Sequence, residues 1–376
     1  MNLQELTDAG LYDGADEGAD ERLELLEFLQ SEGCTIEEMQ LAHSRGRLFA
    51  LAGDRRIRPL VGLLTMREAG ARLEADPVKL AHVWQTFGLT VHDTETPVLT
   101  ERDVEALQTY LDVEAYLGED TAHAFARVMG GALARITEAV SAAMRSGVES
   151  ISIHRSGSEV VTAKAFSELT KLVPRVGAAL DTLHRQHLEA TRQHFEGIDT
   201  DGTDWVAFRC GVGFADLSGF TSLSQQLPIA QLSQVLNMFE EGATHTVQEH
   251  GGRIVKFLGD AVMWVSAQPQ DLVAIAHALV THPAAAESGI QVRAGIAFGS
   301  VLAQDGDYFG PPVNLASRLV ASAEPGQVLV AGEVVELLDE ACFAVQEPLP
   351  LRGFTEPVTP YALVTPPEHE HAHHHH

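Results

Sequence analysis

Two aspartates stand where carboxylates could hold a metal ion. Asp216 ends the apolar run of GVGFADLSGFT and meets a Ser-Gly turn, and Asp260 follows the Leu-Gly turn of RIVKFLGDAVMWV. Oxygen ligands delivered by two strand ends suit divalent cations and the phosphoryl chemistry that such ions serve. The turn after Asp216 opens a helix at about Thr221 or Ser222, and a helix start presents unpaired N–H groups to phosphate. In PPVNLASRL, proline starts a helix on which Asn314 and Arg318 share one face. An amide beside a guanidinium suits negative charge growing on phosphoryl oxygens. Taken residue by residue, plainer readings stay open: an aspartate beside a tight turn is often just the turn former, and a polar helix face is often only solvated.

The elements that must position these groups fall into two kinds. The chain has 376 residues, 45% of them apolar, enough for two cores, and no apolar run approaches the roughly 20 residues that span a bilayer. From Asp20 to Phe195 the period is helical. ERLELLEFLQ spaces Leu23, Leu26 and Leu29 on one face, and the capping box Thr35-Ile-Glu-Glu38 opens a helix running towards Ala50. Further helices are predicted over 76–87, 100–117, 120–146 and 160–195. The polar run GIDTDGTD reads as a linker. Past Trp205, strands alternate with helices: WVAFRCGVGFADL, a helix from Leu223 to Glu249, a hairpin in GRIVKFLGDAVMWVSA, VRAGIAFGSVLA, a helix near Pro312, QVLVAG, and a strand pair around Phe343 and Tyr361. The predicted layout is an all-α unit over 1–196, a linker over 197–204, an α+β unit over 205–364, and a tail over 365–376 that reads as a histidine tag.

Bulk properties narrow the partners. A formal net charge of -28 opposes any broad attraction to nucleic acid or anionic lipid. Cys34, Cys210 and Cys342 fit neither a disulfide framework nor a zinc spacing. The acidic start lacks the basic and apolar regions of a signal peptide, so a cytoplasmic location is expected. LTMREAGARLEADPVKLAHVWQTFGL at 64–89 resembles a helix-turn-helix, but its second helix carries only Lys79, with Glu74 and Asp76 nearby. Helical packing is expected there rather than DNA reading, and no nucleic-acid partner is expected.

FADLSGFT, KFLGDAV, VRAGIAFGSV and DYFGPPVNLASR, in this order and spacing, resemble the catalytic domain of class III nucleotidyl cyclases over about residues 205–364. The resemblance implies a ferredoxin-like βαββαβ core and an adenylate cyclase that turns ATP into 3′,5′-cyclic AMP and pyrophosphate. It implies that Asp216 and Asp260, with the backbone carbonyl of Leu217, bind two Mg2+ or Mn2+ ions. The amides of Ser218, Gly219, Phe220 and Thr221 would cradle the β- and γ-phosphates, Arg318 would stabilise the α-phosphate, and Asn314 would orient the ribose. Lys256 and Asp307 would read adenine, where guanylyl-type sites usually place glutamate and cysteine. Arg352 is offered for the terminal phosphates, and Arg293 is as readily structural. Two copies would join head to tail, one supplying Asp216 and Asp260 and the other Lys256, Asp307, Asn314 and Arg318, so a homodimer is implied. A diguanylate cyclase lacks support, because its glycine-rich acidic hairpin is replaced by FLGDAV. A degenerate cyclase that only binds nucleotide or dimerises is the non-enzyme alternative, and the intact set of six side chains argues against it.

A helical domain ahead of such a catalytic domain is similar to the two-domain adenylyl cyclases of actinobacteria, and implies regulation by a proton, a small molecule or a lipid. His184, His187 and His194 lie on the predicted helix 160–195, with His154 just before it. Histidine changes charge near neutral pH, so these four could bias the helix between states, or could be ordinary surface residues.

Overall fold

The computed structural model describes residues 3–147, 157–196, 207–282 and 290–365. The chain divides into two compact units, Met1–His187 and Leu188–His376. The first holds α1 (Leu3–Asp8), α2 (Ala19–Ser31), α3 (Ile36–Ser44), α4 (Leu51–Ile57), α5 (Met66–Leu73), α6 (Pro77–Thr86), α7 (Glu101–Leu117), α8 (Glu119–Gly147) and α9 (Glu159–Thr170), and α10 (Val173–Glu196) crosses the division. Threonine opens three of these helices with reciprocal capping boxes, Thr35 with Glu38, Thr65 with Glu68 and Thr100 with Asp103. Each cap satisfies N–H groups that a helix start leaves unpaired and is worth about 1 kcal/mol. Two apolar clusters form the core. One joins Leu25, Leu26, Leu29, Met39 and Leu51 to Ala163, and the other joins Met66, Leu80, Trp84, Leu99 and Leu107. Leu23 is only half-buried, its expected place being taken by Leu25.

Two expected helices end early, for identifiable reasons. The helix from the Thr35 box stops at Ser44, where Gly46 turns left-handed at φ 66, and a short 3-10 turn at Leu48–Ala50 leads into α4. The span 160–195 is broken between Thr170 and Val173. Pro174 has no N–H to give to residue 170, and its ring would strike that carbonyl in a continuous helix.

The second unit is built on one sheet of β1 (Ala207–Leu217), β2 (Arg253–Leu258), β3 (Ala261–Ser266), β4 (Val292–Gln304), β5 (Asp307–Phe309), β6 (Val328–Val330), β7 (Phe343–Val345) and β8 (Tyr361–Leu363). Its order is β2-β3-β1-β4-β6-β8-β7, with β5 folded back on β4, and of these pairings only β4 with β6 is parallel. The helices are α11 (Phe220–Ser224), α12 (Ile229–Glu249), α13 (Pro269–Val280), α14 (Pro311–Ser322) and α15 (Gly332–Glu336). The sequence β1, α12, β2, β3, α13, β4 traces the βαββαβ core, so the α+β expectation holds. The expected helix over 223–249 is divided, with Pro228 as the cap of α12.

Strand alternation makes two cores. Leu217, Val262, Trp264 and Ile296 pack towards Val247 of α12 and Leu272 of α13, while Cys210, Val212, Phe214 and Met263 pack towards Ala316 and Leu319 of α14. At Gly295 helix α14 also meets the backbone of β4 directly. A β-carbon at Gly295 would lie 2.2 Å from the Val320 nitrogen and 2.6 Å from the Ala316 carbonyl oxygen. Among the described residues no helix is long and apolar enough to cross a membrane.

Candidate active site

Antiparallel pairing of β1 with β3 sets Asp216 opposite Ala261, the residue after Asp260. The N–H of Leu217 donates to the Asp260 carbonyl at 3.0 Å, closing the two strand ends on each other. Burial pushes the Asp260 carboxyl above its ordinary value, and the like charge of Asp216 pushes the same way, against its own backbone N–H and Arg293. The two carboxylates therefore feel each other.

Arg293 sits opposite Asp216 on β4. Its Nε donates to Asp216 Oδ1 at 2.6 Å and its Nη2 to Oδ2 at 3.0 Å, a fork on both oxygens. Its Nη1 donates to the carbonyls of Ala321 and Ala323 at 3.3 and 3.2 Å, at the C-terminal end of α14. Register between β1 and β4, which no local motif encodes, hid this partnership from the sequence.

The oxygen donors suit a hard divalent cation. Beside the two carboxylates, Ser218 Oγ is buried with no hydrogen-bond partner among the described residues. Among the described residues no group of three or more His, Cys, Asp and Glu forms a metal cluster, so substrate or water oxygens would complete a shell, as is usual for Mg2+ held by one or two carboxylates and phosphate. The turn differs in part from expectation. The Ser218 N–H is already given to the Gln291 carbonyl at 2.7 Å, Gly219 takes φ 78, and α11 begins at Phe220 with Thr221 next. Of the four amides expected to face phosphate, that of Ser218 is thus already engaged.

Lys256 lies just past a register shift in β2, and Asp307 is the first residue of β5. Lys256 Nζ and Asp307 Oδ2 form an ion pair, and Asp307 Oδ1 accepts from the Tyr308 N–H at 2.8 Å. Arg253 of β2 donates to the Tyr308 hydroxyl and lies 5.4 Å from its ring centroid. Phe208 meets the same ring edge-on at 5.8 Å. The β4–β5 hairpin is thus pinned over β2 at the level of Lys256.

Asn314 and Arg318 are both exposed on α14, and Arg352 is exposed between β7 and β8. Among the described residues no hydrogen bond or ion pair joins the carboxylates, the Lys256–Asp307 pair and the Asn314–Arg318 face to one another. Arg293 reaches from Asp216 to the end of α14.

Residues 207–365 match the adenylate and guanylate cyclase catalytic domain, and residues 4–191 match the adenylate cyclase regulatory domain. The chain belongs to the class III adenylate and guanylate cyclase family. This cyclase is 46% identical over 343 residues to an uncharacterized protein of Mycobacterium tuberculosis, covering 91% of the chain and 90% of that protein. It is 31% identical over 316 residues to an adenylate cyclase of Glutamicibacter nicotianae, covering 79% and 76%. It is 30% identical over 336 residues to a pH-sensitive adenylate cyclase of Mycobacterium tuberculosis, covering 85% and 81%.

In the helical half of the chain, His184 and His187 are exposed on α10, His194 lies further along that helix, and His154 lies outside the described residues. Sequence reading missed a different pair. His82 of α6 and His123 of α8 stack with centroids 5.3 Å apart and planes at 16°, and His123 Nε2 lies 3.3 Å from Thr86 Oγ1. Neither helix's own period signals this contact. In the helix-turn-helix-like segment of the cyclase, Arg67, Arg72 and Lys79 pair with Glu95, Glu101 and Glu114.

Proposed function

We propose that the cyclase is an adenylate cyclase, converting ATP to 3′,5′-cyclic AMP and pyrophosphate at sites shared by two copies of the chain. The choice of base is carried by the ion pair of Lys256 and Asp307, which sets a donor beside an acceptor. Adenine offers the complement, a ring-nitrogen acceptor beside an amino donor. Guanine would leave the carboxylate facing a carbonyl, a desolvated group without a partner. Relatives named adenylate cyclase, at 30 and 31% identity, support the same choice.

Asp216, Asp260 and the Leu217 carbonyl are the residues that would hold two divalent cations, Mg2+ or Mn2+. Such ions, when bound, lower the pKa of the ribose 3′-hydroxyl and neutralise the triphosphate. The chain's own groups do the rest. The amides of Gly219, Phe220 and Thr221, the Ser218 hydroxyl and Arg352 hold the β- and γ-phosphates. Asn314 fixes the ribose ring, so that the 3′-oxygen lies in line with the α-phosphorus and the bond to pyrophosphate. Arg318 takes up charge on the α-phosphate as the new bond forms and the old one breaks.

Among the described residues no hydrogen bond or ion pair joins Asn314 or Arg318 to either carboxylate of their own chain, which supports a homodimer in which each serves the partner's site. The helical domain over 1–196, joined by the linker over 197–204, would control that dimer in response to a proton, a small molecule or a lipid. One relative, aligned over 85% of this chain and 81% of its own length, is named as pH-sensitive.

The test is product formation by the full chain with Mn2+ and either ATP or GTP. Cyclic AMP should form from ATP at least about tenfold more efficiently than cyclic GMP from GTP. A preference for GTP overturns the base assignment, and no product from either overturns the enzyme assignment. Repeating the assay from about pH 5 to 8 beside residues 201–376 tests control: equal profiles would overturn regulation of catalysis by the helical domain.

A further inference from the structure

Arg293 uses its whole guanidinium. Two nitrogens grip the two oxygens of Asp216, and the third holds the carbonyls of Ala321 and Ala323. Those carbonyls belong to the end of α14, where a helix leaves its acceptors unpaired. Two residues along β4, Gly295 lies directly beneath the same helix, with no room for even a methyl group. Helix α14 is therefore seated on β4 at one point and tied through Arg293 to Asp216 at another.

We propose that Arg293 is a positioning residue that couples cation occupancy at Asp216 to the seating of α14, and thereby couples the two active sites of a dimer. This rests on the two-cation, shared-site reading above. The guanidinium is a rigid plane, so a carboxylate cannot turn an oxygen towards a cation without loosening or dragging the fork. A cation also shares the carboxylate's charge and repels the guanidinium, which shifts its hold towards Ala321 and Ala323. The far face of α14 carries Asn314 and Arg318, which serve the partner's site in that reading. A cation bound at one site thus firms the helix that works at the other.

The experiment uses the full chain in three forms: unaltered, Arg293→Lys and Asp216→Asn. Mn2+ binding is read from the free-ion electron paramagnetic resonance signal, and hydrogen exchange is followed at residues 316–325 with and without Mn2+. In the unaltered chain, binding is cooperative and exchange at the end of α14 slows by about threefold. Lysine cannot bridge four acceptors with one planar fork, so Arg293→Lys binds Mn2+ without cooperativity and without the slowing. A purely structural arginine would give the same exchange response in both forms. Binding by the unaltered chain with no change at α14 overturns the coupling alone. No Mn2+ binding, or equal binding by Asp216→Asn, overturns the cation reading and the coupling with it. The exchange measurement on the unaltered chain decides the matter even where Arg293→Lys folds poorly.

Discussion

Lys256 and Asp307, 51 residues apart in the chain, satisfy each other as an ion pair before any nucleotide is present. Under the proposed function, base selection would therefore begin with an exchange of partners. Asp307→Ala should lower kcat/KM for ATP by about 10- to 100-fold while leaving the poor use of GTP nearly unchanged, because only adenine loses an acceptor. Lys256→Glu combined with Asp307→Cys should move the preference towards GTP. Steady-state rates with both nucleotides check both outcomes, and an unchanged ATP preference in Asp307→Ala would show that the base is read elsewhere.

Separation of the carboxylates from Asn314 and Arg318 makes a sharp prediction for mixed dimers. Asp216→Asn and Arg318→Ala chains should each be inactive, with kcat for the second reduced by about 100- to 1,000-fold. Mixed in equal amounts they should recover about a quarter of the normal rate, since half of the dimers then carry one intact site of two. Arg318 is exposed, so its loss should leave thermal unfolding unchanged. No recovery on mixing would mean that each chain builds its own site.

Asp260 gives a pH dependence with a definite sign. Burial first, and Asp216 second, hold its carboxyl above the usual value, so the folded chain keeps a proton that the unfolded chain has lost. Stability of the cation-free protein should fall as pH rises from about 3.9 through the raised value, and stay lower above it. Asp260→Asn should therefore raise Tm near pH 7 and lose that advantage near pH 3, as read by scanning calorimetry without divalent ions. Added Mn2+ should protect the unaltered chain more at pH 7 than at pH 5, and the variant little at either.

Gly295 tests the seat of α14. A methyl group there meets the Val320 nitrogen at 2.2 Å, and backbone cannot move aside as a side chain can. Gly295→Ala should cost about 1 to 3 kcal/mol in urea unfolding and lower kcat by displacing Asn314 and Arg318.

What the sequence disclosed was local. Asp216 beside Ser-Gly, Asp260 after Leu-Gly and Asn314 with Arg318 behind two prolines each declare their element within a few residues, because turn chemistry and helix starts are local events. The capping box of Thr35 was legible for the same reason, and those of Thr65 and Thr100 follow the same local pattern. The breaks at Pro174 and Pro228 were readable in principle, since proline cannot donate to the preceding turn, but amphipathic period continues across both and masks them. The Arg293 fork on Asp216, the Arg253 hold on Tyr308 and the stacking of His82 on His123 depend on register or helix packing between distant segments. No spacing rule reports those.

Strand β4 runs unbroken for 13 residues, Val292–Gln304, roughly 40 Å at strand rise, and carries Arg293 beside Asp216 near one end and Gln304 opposite Asp307 at the other. It serves as the ruler of the catalytic half. Removing or adding one residue within it would turn every later side chain to the opposite face of the sheet. Arg293 would keep its station while Asp307 lost Lys256, or the reverse, according to which end slipped. The strand's length, more than any single side chain on it, sets how far the Arg293–Asp216 fork stands from the Lys256–Asp307 pair.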